Sequence, residues 1–558
     1  MITIQDWKKH FPFDIVRPQQ EQAINFALNS FLNDNKKFVV MELSTGIGKS
    51  AIAVTISRYI QEFLSKKIDN QYRSGSHILT TQKVLQDQYV KDFGRDLKGP
   101  LFSIKSSSNY NCKSYPMQTC AESRRVISII HGTGNGSLGN FSKCRKECPY
   151  TNSKKDFVNQ HYGITNFSYF LAETVYSGKI LPKDLLVIDE AHNTEGELSR
   201  FIEITFSEKF SNDILECQFP KLKKNSSEIS QIFKWVKNTY KKHLVRKIND
   251  LKIQIETSLS DNLEVESISK QYEKLDKHIC KVNRFIEYFD DDNWIVNIEE
   301  PKEIGIKNKK KKSRKFVFKP ILVNNFSDDF LFKFGKYVLL MSATVVEKDI
   351  FCKSIGINLE NVAYLSIPSP FLVENKKIHY MPIGSMSKQN IEMSLPKLSK
   401  VVEMLINHHK DEKGIIHCVS FKIANYLYNS IKTDRFMIHD SDNRDDVLKQ
   451  HIDTKKPTIL LSPSMTEGVD LKDDLSRFQI ICKVPFPYLG DLVIKKRMEN
   501  DKLWYDYQTA KTIIQAIGRS IRNENDYAET YLLDSDWESY YKRNINMFPI
   551  DFRESIQW

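Results

Sequence analysis

The chain has 558 residues, more than one hydrophobic core can organise and enough for three or four compact units. Apolar residues make up 41% of it at a mean hydropathy of -0.44, yet no apolar run approaches the roughly 20 residues of a membrane helix and Met1 to Pro12 hold no apolar signal core. A membrane protein and a secreted one are therefore not expected; an intracellular location is, cytoplasmic if the source is bacterial or viral. Lys and Arg number 82 against 70 Asp and Glu, a net charge of +12 that by itself points only faintly to an anionic partner.

In chain order, Phe38-Val-Val-Met-Glu-Leu reads as a buried strand, followed by Leu43-Ser-Thr-Gly-Ile-Gly-Lys-Ser50 and a helix opening Ala51-Ile-Ala-Val. His77-Ile-Leu-Thr-Thr is the next strand. Residues 98–156 are rich in Ser, Asn, Gly, Lys and Cys, and between 98 and 155 ten Lys or Arg face two Glu. Such a basic patch is the footprint of a phosphate-backbone binder; a solvated basic loop is the alternative. After the strand Leu185-Leu-Val-Ile-Asp, residues 197–304 contain no glycine. There Ile229, Ile232, Phe233, Val236 and Tyr240, then Ile268, Tyr272, Leu275, Ile279, Val282 and Ile286, recur at helical spacing, which predicts an amphipathic antiparallel pair. The basic run Lys307 to Lys315 reads as a solvated loop, or alternatively as a contact to nucleic-acid phosphates. Tyr337-Val-Leu-Leu-Met completes a first set of strands. A second set comprises Lys377-Ile-His-Tyr-Met, Gly414-Ile-Ile-His-Cys, Thr458-Ile-Leu-Leu-Ser, Gln479-Ile-Ile-Cys-Lys-Val and Thr530-Tyr-Leu-Leu-Asp. Continuous apolar runs of this kind belong to parallel sheets covered on both faces, and two sets imply two α/β domains with functional residues at the carboxyl edges of the strands.

Three motifs carry chemistry. In Ser44-Thr45-Gly46-Ile47-Gly48-Lys49-Ser50, the glycines let the backbone curl so that its amides face phosphate oxygens. Lys49 then reaches the outer phosphates and Ser50 can ligate Mg²⁺. Leu43 stands where the general P-loop pattern has its first glycine. In Leu185-Leu-Val-Ile-Asp-Glu-Ala-His192, Asp189 suits the Mg²⁺ water shell and Glu190 suits activation of the attacking water. Gln515-Ala-Ile-Gly-Arg-Ser-Ile-Arg522 places Arg519 and Arg522 three residues apart, expected on one face of a helix, where guanidinium groups from the second domain can meet a γ-phosphate.

Five of the nine cysteines (Cys217, Cys280, Cys352, Cys418, Cys482) are scattered, whereas Cys112, Cys120, Cys144 and Cys148 cluster with intervals of 7, 23 and 3 residues. Four thiolates in a chain without a secretion signal suggest metal rather than disulfides, either Zn²⁺ or a [4Fe-4S] cluster.

The Asp-Glu-Ala-His quartet, the P-loop without its first glycine and the Gln-x-x-Gly-Arg-x-x-Arg pattern together resemble DEAH-box helicases of superfamily 2. Weaker signatures in the same order strengthen this: Arg17-Pro-Gln-Gln20, Thr80 to Gln88, Ser342-Ala-Thr344, Ser369-Pro-Phe371, Ser420-Phe421 and Glu467-Gly-Val-Asp470. The resemblance implies that Gln20 reads adenine, that Asp470 belongs to the ATP site, and that Gln515 works with the two arginines. Four cysteines between the P-loop and the DEAH box, beginning Asn109-Tyr-Asn-Cys112 and ending Cys148-Pro-Tyr150, resemble the XPD/DinG group of iron–sulfur helicases, which favours the [4Fe-4S] cluster over zinc.

That resemblance implies two RecA-like parallel-sheet motor domains, with an iron–sulfur cluster domain and a helical arch domain inserted in the first. The expected boundaries are 1–97, 157–196 and 330–375 for the first motor domain, 98–156 for the cluster domain, 197–329 for the arch and 376–558 for the second motor domain. It also implies a monomer that uses ATP and Mg²⁺ to move 5′ to 3′ on single-stranded DNA and to open forked duplex DNA, with the cluster domain as wedge. The same residues would serve a nucleic-acid-stimulated ATPase that remodels nucleoprotein without processive unwinding. A nuclease is not expected, because only sixteen residues precede Arg17 and little follows Arg522.

Overall fold

A computed structural model describes residues 6–65, 71–113, 117–123, 147–176, 178–222, 228–257, 262–300, 313–440, 443–463, 471, 473–521 and 526–558. Its strands are, in chain order, β1 (Phe38–Leu43), β2 (Arg73–Thr80), β3 (Phe102–Ser103), β4 (Tyr162–Asn166), β5 (Lys183–Asp189), β6 (Ile204–Ser207), β7 (Trp294–Glu299), β8 (Lys315–Pro320), β9 (Gly335–Ser342) and β10 (Val362–Ile367). There follow β11 (Ile378–Gly384), β12 (Gly414–His417), β13 (Phe436–Ile438), β14 (Ile459–Ser462), β15 (Phe478–Ile481), β16 (Glu529–Asp534) and β17 (Ile556–Gln557).

The first sheet has seven parallel strands in the order β10-β1-β9-β5-β2-β4-β3. Every residue of β1 and β5 is buried, and the two-residue period of a strand sends alternate side chains to different cores. Val39, Met41, Leu185, Val187, Leu339 and Met341 pack beneath the helices Pro18–Leu32 and Lys49–Leu64. Phe38, Val40, Leu186, Ile188, Val338 and Leu340 enter the opposite core with Phe167, Phe170 and Phe332. The second sheet is also parallel and seven-stranded, in the order β13-β14-β12-β15-β16-β11-β17. Its core joins Ile416, Leu461, Ile480 and Leu533 to the helices Ile391–His408 and Phe421–Ser430. These are two doubly wound RecA-like units.

Between β6 and β8 the chain builds a different body. Helices Glu228–Trp235, Lys241–Thr257 and Asn262–Tyr288, the first two joined through a π turn at Val236–Tyr240, bury Tyr240, Leu244, Leu251, Leu275, Val282 and Phe285. The expected helical pair is there, but it rests on an antiparallel sheet, β6-β8-β7, that the glycine-free helical pattern did not announce. Phe206, Phe316 and Phe318 of that sheet are fully buried under the helices. The end of the basic run is correspondingly no loop: Lys315 opens β8, and Arg314 pairs with Glu208 at 2.9 Å. Lys307 to Lys312 lie outside the described residues. The short strand β3, in the segment expected for the cluster domain, pairs with β4 of the first motor sheet. Among the described residues no helix is long and apolar enough to cross a membrane.

Candidate nucleotide cleft and thiolate site

β1 ends at Leu43, and the turn from Ser44 to Gly48 delivers the chain to the helix beginning at Lys49. Gly46 and Gly48 have φ of +88° and +91°, the left-handed region open to glycine. A Cβ at Gly48 would also stand 2.5 Å from Gln20 Nε2. The Gln20 amide is committed to this turn: its nitrogen donates to the Ile47 carbonyl at 2.9 Å, and its oxygen accepts from the Arg17 N–H at 3.0 Å. Arg17 donates to the Gly46 carbonyl at 2.8 Å. Gly48→Ala is therefore expected to strain the turn twice over, by φ and by collision, and to weaken nucleotide binding by about tenfold or more. Nucleotide titration of the two proteins checks this; equal affinity would mean that the turn does not shape the site.

Asp189 closes β5, and Glu190 follows it at φ +53°, unusual for a residue with a side chain. Burial pushes the Asp189 carboxyl up to about 6, the charge of Glu190 adds to this, and the Lys49 ammonium and the Tyr89 hydroxyl pull it back. Tyr89, fully buried, donates to Asp189 Oδ2 at 2.9 Å and also bonds Ser50, so one phenol links the two residues expected at magnesium. Nothing in the sequence separated Tyr89 from an ordinary core tyrosine.

His192 Nδ1 lies 2.8 Å from Ser342 Oγ, which accepts from the Thr344 N–H at 2.9 Å. Thr344 Oγ1 in turn accepts from Gln515 Nε2 of the second domain at 3.1 Å. A polar relay thus runs from the DEAH box to the helix Lys502–Ile517 of the second domain. Glu42, on β1, anchors the loop after Thr344 by accepting from the Val346 N–H at 2.8 Å. Nearby, Glu195 accepts from Arg497, from Trp504 at 3.1 Å and from Gln508 at 3.3 Å, all on the second domain. Neither glutamate was singled out in the sequence.

The helix carrying Gln515 ends at Ile517 with Gly518 as its cap, so Arg519 stands beyond the helix. This corrects the expectation that Arg519 and Arg522 share a helical face; glycine, a weak helix former, stops the helix one residue earlier. Arg522 lies outside the described residues, as do Asp470, the rest of Glu467-Gly-Val-Asp470, and Cys144. Between the domains a cavity of about 390 Å³ is lined by Ser44 and Thr45, by Glu190 and His192, and by Gln515 and Arg519. The start of the P-loop, Glu190 of the DEAH box and the second-domain Arg519 therefore border one space.

The described cysteines of the cluster sit apart from this cleft. An antiparallel bridge at Asn111 and Thr119 brings Cys112 and Cys120 onto facing arms: the Cys112 N–H donates to Gln118 and the Cys120 N–H to Tyr110. Cys148 caps the helix Pro149–Asn159, and its sulfur is 3.3 Å from that of Cys120. Burial pushes the Cys148 thiol up, but bonds to Thr151, Cys120 and Tyr150 outweigh it and hold the thiol below its ordinary value. Cys112, Cys120 and Cys148 are all buried, and a helix N-terminus favours thiolate at Cys148, so the donors present fit a thiolate-held metal group.

Two parallel α/β units that share a P-loop, a DEAH box and a second-domain Gln-x-x-Gly-Arg define a superfamily 2 helicase motor. Residues 402–552 match the helicase C-terminal domain family, and residues 14–217 match the family described as type III restriction enzyme, res subunit. The chain is 21% identical over 583 residues to the ATP-dependent DNA helicase XPD of Sulfolobus acidocaldarius, covering 98% of each chain. It is 22% identical over 525 residues to the ATP-dependent DNA helicase CHL1 of Debaryomyces hansenii, covering 78% of this chain and 64% of that relative. A solved XPD helicase superposes with a TM-score of 0.60 at 17% identity, over 96% of this chain and 98% of that one. The chain is an XPD/DinG-like helicase of superfamily 2.

Proposed function

We propose that the protein is an ATP-dependent DNA helicase that moves 5′ to 3′ along single-stranded DNA and opens forked duplexes. The observation that carries this reading is the shared cavity, with Glu190 on one wall and Gln515 and Arg519 on the other. The turn from Ser44 to Ser50 cradles the phosphates, with Lys49 as the cation at the outer ones. Gln20 holds the turn in shape beside the adenine, and Asp470 completes the nucleotide site. Ser50 and Asp189 hold Mg²⁺, which neutralises phosphate charge when bound. Glu190 orients and deprotonates the attacking water, while Arg519 and Arg522 stabilise charge developing on the γ-phosphate. The chain His192–Ser342–Thr344–Gln515 couples the hydrolytic residues to the second domain. Cys112, Cys120, Cys144 and Cys148 hold a [4Fe-4S] cluster that organises residues 98–156 into a wedge, with residues 197–329 as the arch beside it. The protein works as a monomer.

The test measures strand displacement on forks with a 5′ or a 3′ tail, using wild type and Glu190→Gln. Wild type is expected to displace the strand on 5′-tailed forks only. Glu190→Gln should bind ATP and lose displacement, since it keeps the shape of the base but not its basicity. ATP hydrolysis without displacement on any fork would instead favour a nucleoprotein-remodelling ATPase.

A further inference from the structure

We propose that the second motor domain carries a site for a divalent transition-metal ion of the zinc type, held by His408, His409 and Glu529, with His379 as fourth ligand. The ligand atoms of His408, His409 and Glu529 all lie within 4.8 Å of one another. Glu529 Oε2 stands 3.7 Å from His379 Nε2 and 3.9 Å from His409 Nε2. A tetrahedral zinc ion with bonds of about 2.0–2.1 Å spaces its ligand atoms about 3.4 Å apart, so ligand atoms as far as 4.8 Å apart must approach by up to about 1.4 Å, within reach of side-chain rotation. Three imidazoles and one carboxylate are a donor set that such an ion prefers over calcium or magnesium.

Three further features point the same way. His379 Nε2 is buried and has no hydrogen-bond partner among the described residues, an orphan that a metal ion would satisfy. His409 Nδ1 lies 2.6 Å from Glu412 Oε2. A proton on Nδ1 donated to that carboxylate leaves the Nε2 lone pair facing Glu529, the usual outer-shell arrangement of a metal-binding histidine. His408 is the last residue of the helix Ile391–His408, whose carbonyl end favours a cation.

The Tyr531 hydroxyl donates to Glu529 Oε2 at 2.6 Å and lies 2.9 Å from His409 Nε2, so one phenol joins two of the ligands. The nearby Arg435 guanidinium is turned away onto the backbone carbonyls of His409 and Glu412. His379 and Glu529 sit at the amino ends of β11 and β16. The site would therefore brace the base of the domain, and it does not depend on the helicase reading.

The test uses Co²⁺ as probe on the full-length protein, followed by Zn²⁺ competition, comparing wild type with His408→Ala and Glu529→Gln. Nitrogen and oxygen ligation gives cobalt d–d bands without the sulfur-to-cobalt charge-transfer band that the cysteine cluster would give, so the two sites are told apart spectrally. Wild type should show these bands, lose them to Zn²⁺ and melt at higher temperature with Zn²⁺. Both variants should bind about tenfold or more weakly and lose the zinc-dependent rise in melting temperature. His408 is exposed, so its variant keeps the test interpretable if Glu529→Gln folds poorly. Absence of sulfur-free bands in wild type, or equal binding by His408→Ala, overturns the proposal.

Discussion

Replacing Lys49 with alanine is expected to abolish DNA-stimulated ATP hydrolysis, by about 10³-fold or more, which corresponds to about 4 kcal/mol of lost transition-state stabilisation. The structure says why the loss should be chemical rather than structural. Among the described residues the Lys49 ammonium makes one long bond, 3.4 Å to the Leu43 carbonyl, so it contributes little to holding the turn. The turn itself is fixed by Gln20 and Arg17 on the Ile47 and Gly46 carbonyls. Removing the cation leaves that cradle intact and deletes the charge that would meet the outer phosphates. It also removes the positive neighbour that lowers the Asp189 carboxyl, so the group proposed for magnesium becomes harder to ionise. Melting temperature should stay near wild type while turnover vanishes. Near-normal turnover in the variant would sink the assignment of this turn as the phosphate site.

The second large effect is expected from Cys120→Ser. Cys120 is 2% exposed, and its sulfur faces that of Cys148, so a serine there replaces a proposed soft ligand with a hard, poorly ionised one. The purified variant should lose most of its iron, its sulfide and its brown colour. Leu101, Ile104 and Tyr150 are anchored in the cores of the first motor domain, so the loss should centre on the stretch around Cys112 and Cys120, whose fold would rest on the metal group. The cleft lies outside that segment, and basal ATP hydrolysis should survive in part. If the cluster segment is the wedge proposed above, unwinding should fall at least tenfold further than hydrolysis. Measuring hydrolysis, displacement and iron content on the same preparations decides the matter. A variant that loses iron yet unwinds like wild type would remove the cluster segment from the mechanism; a wild type rich in zinc and free of iron would replace the cluster.

What the sequence made legible was chemistry written locally. A P-loop needs its glycines, lysine and serine within seven residues, and a strand buried on both faces needs an unbroken apolar run, so β1, β5, β9, β12 and β14 could be read directly. Strands short of such runs were not read: β4, Tyr-Gly-Ile-Thr-Asn, carries two polar residues, and β13 and β17 have only three and two residues. The strands of the antiparallel sheet under the inserted helices carry apolar runs of only one to three residues, a weaker signal, and its central strand begins inside a run of lysines. Tyr89, Glu42 and Glu195 escaped notice for another reason. Each acts through partners far along the chain, 100 residues away for Tyr89 and about 300 for the two glutamates, and no spacing rule reports such a meeting. The helix before Arg519 was overextended because Gly518 was read as part of a motif and not as a cap.

The carboxylate of Glu195 has a mechanical consequence. It stands three residues past His192 of the DEAH box, and its partners Arg497, Trp504 and Gln508 are spread over two helices of the other domain. Beside them the helix Lys502–Ile517 packs Tyr507, Ala510 and Ile513 into one core with Phe351 and Cys352 of the first domain. The segment just after the DEAH box is thus tied to the second domain by polar and apolar contacts together, so the two bodies cannot part there without stripping donors from a partly buried carboxylate and exposing apolar area.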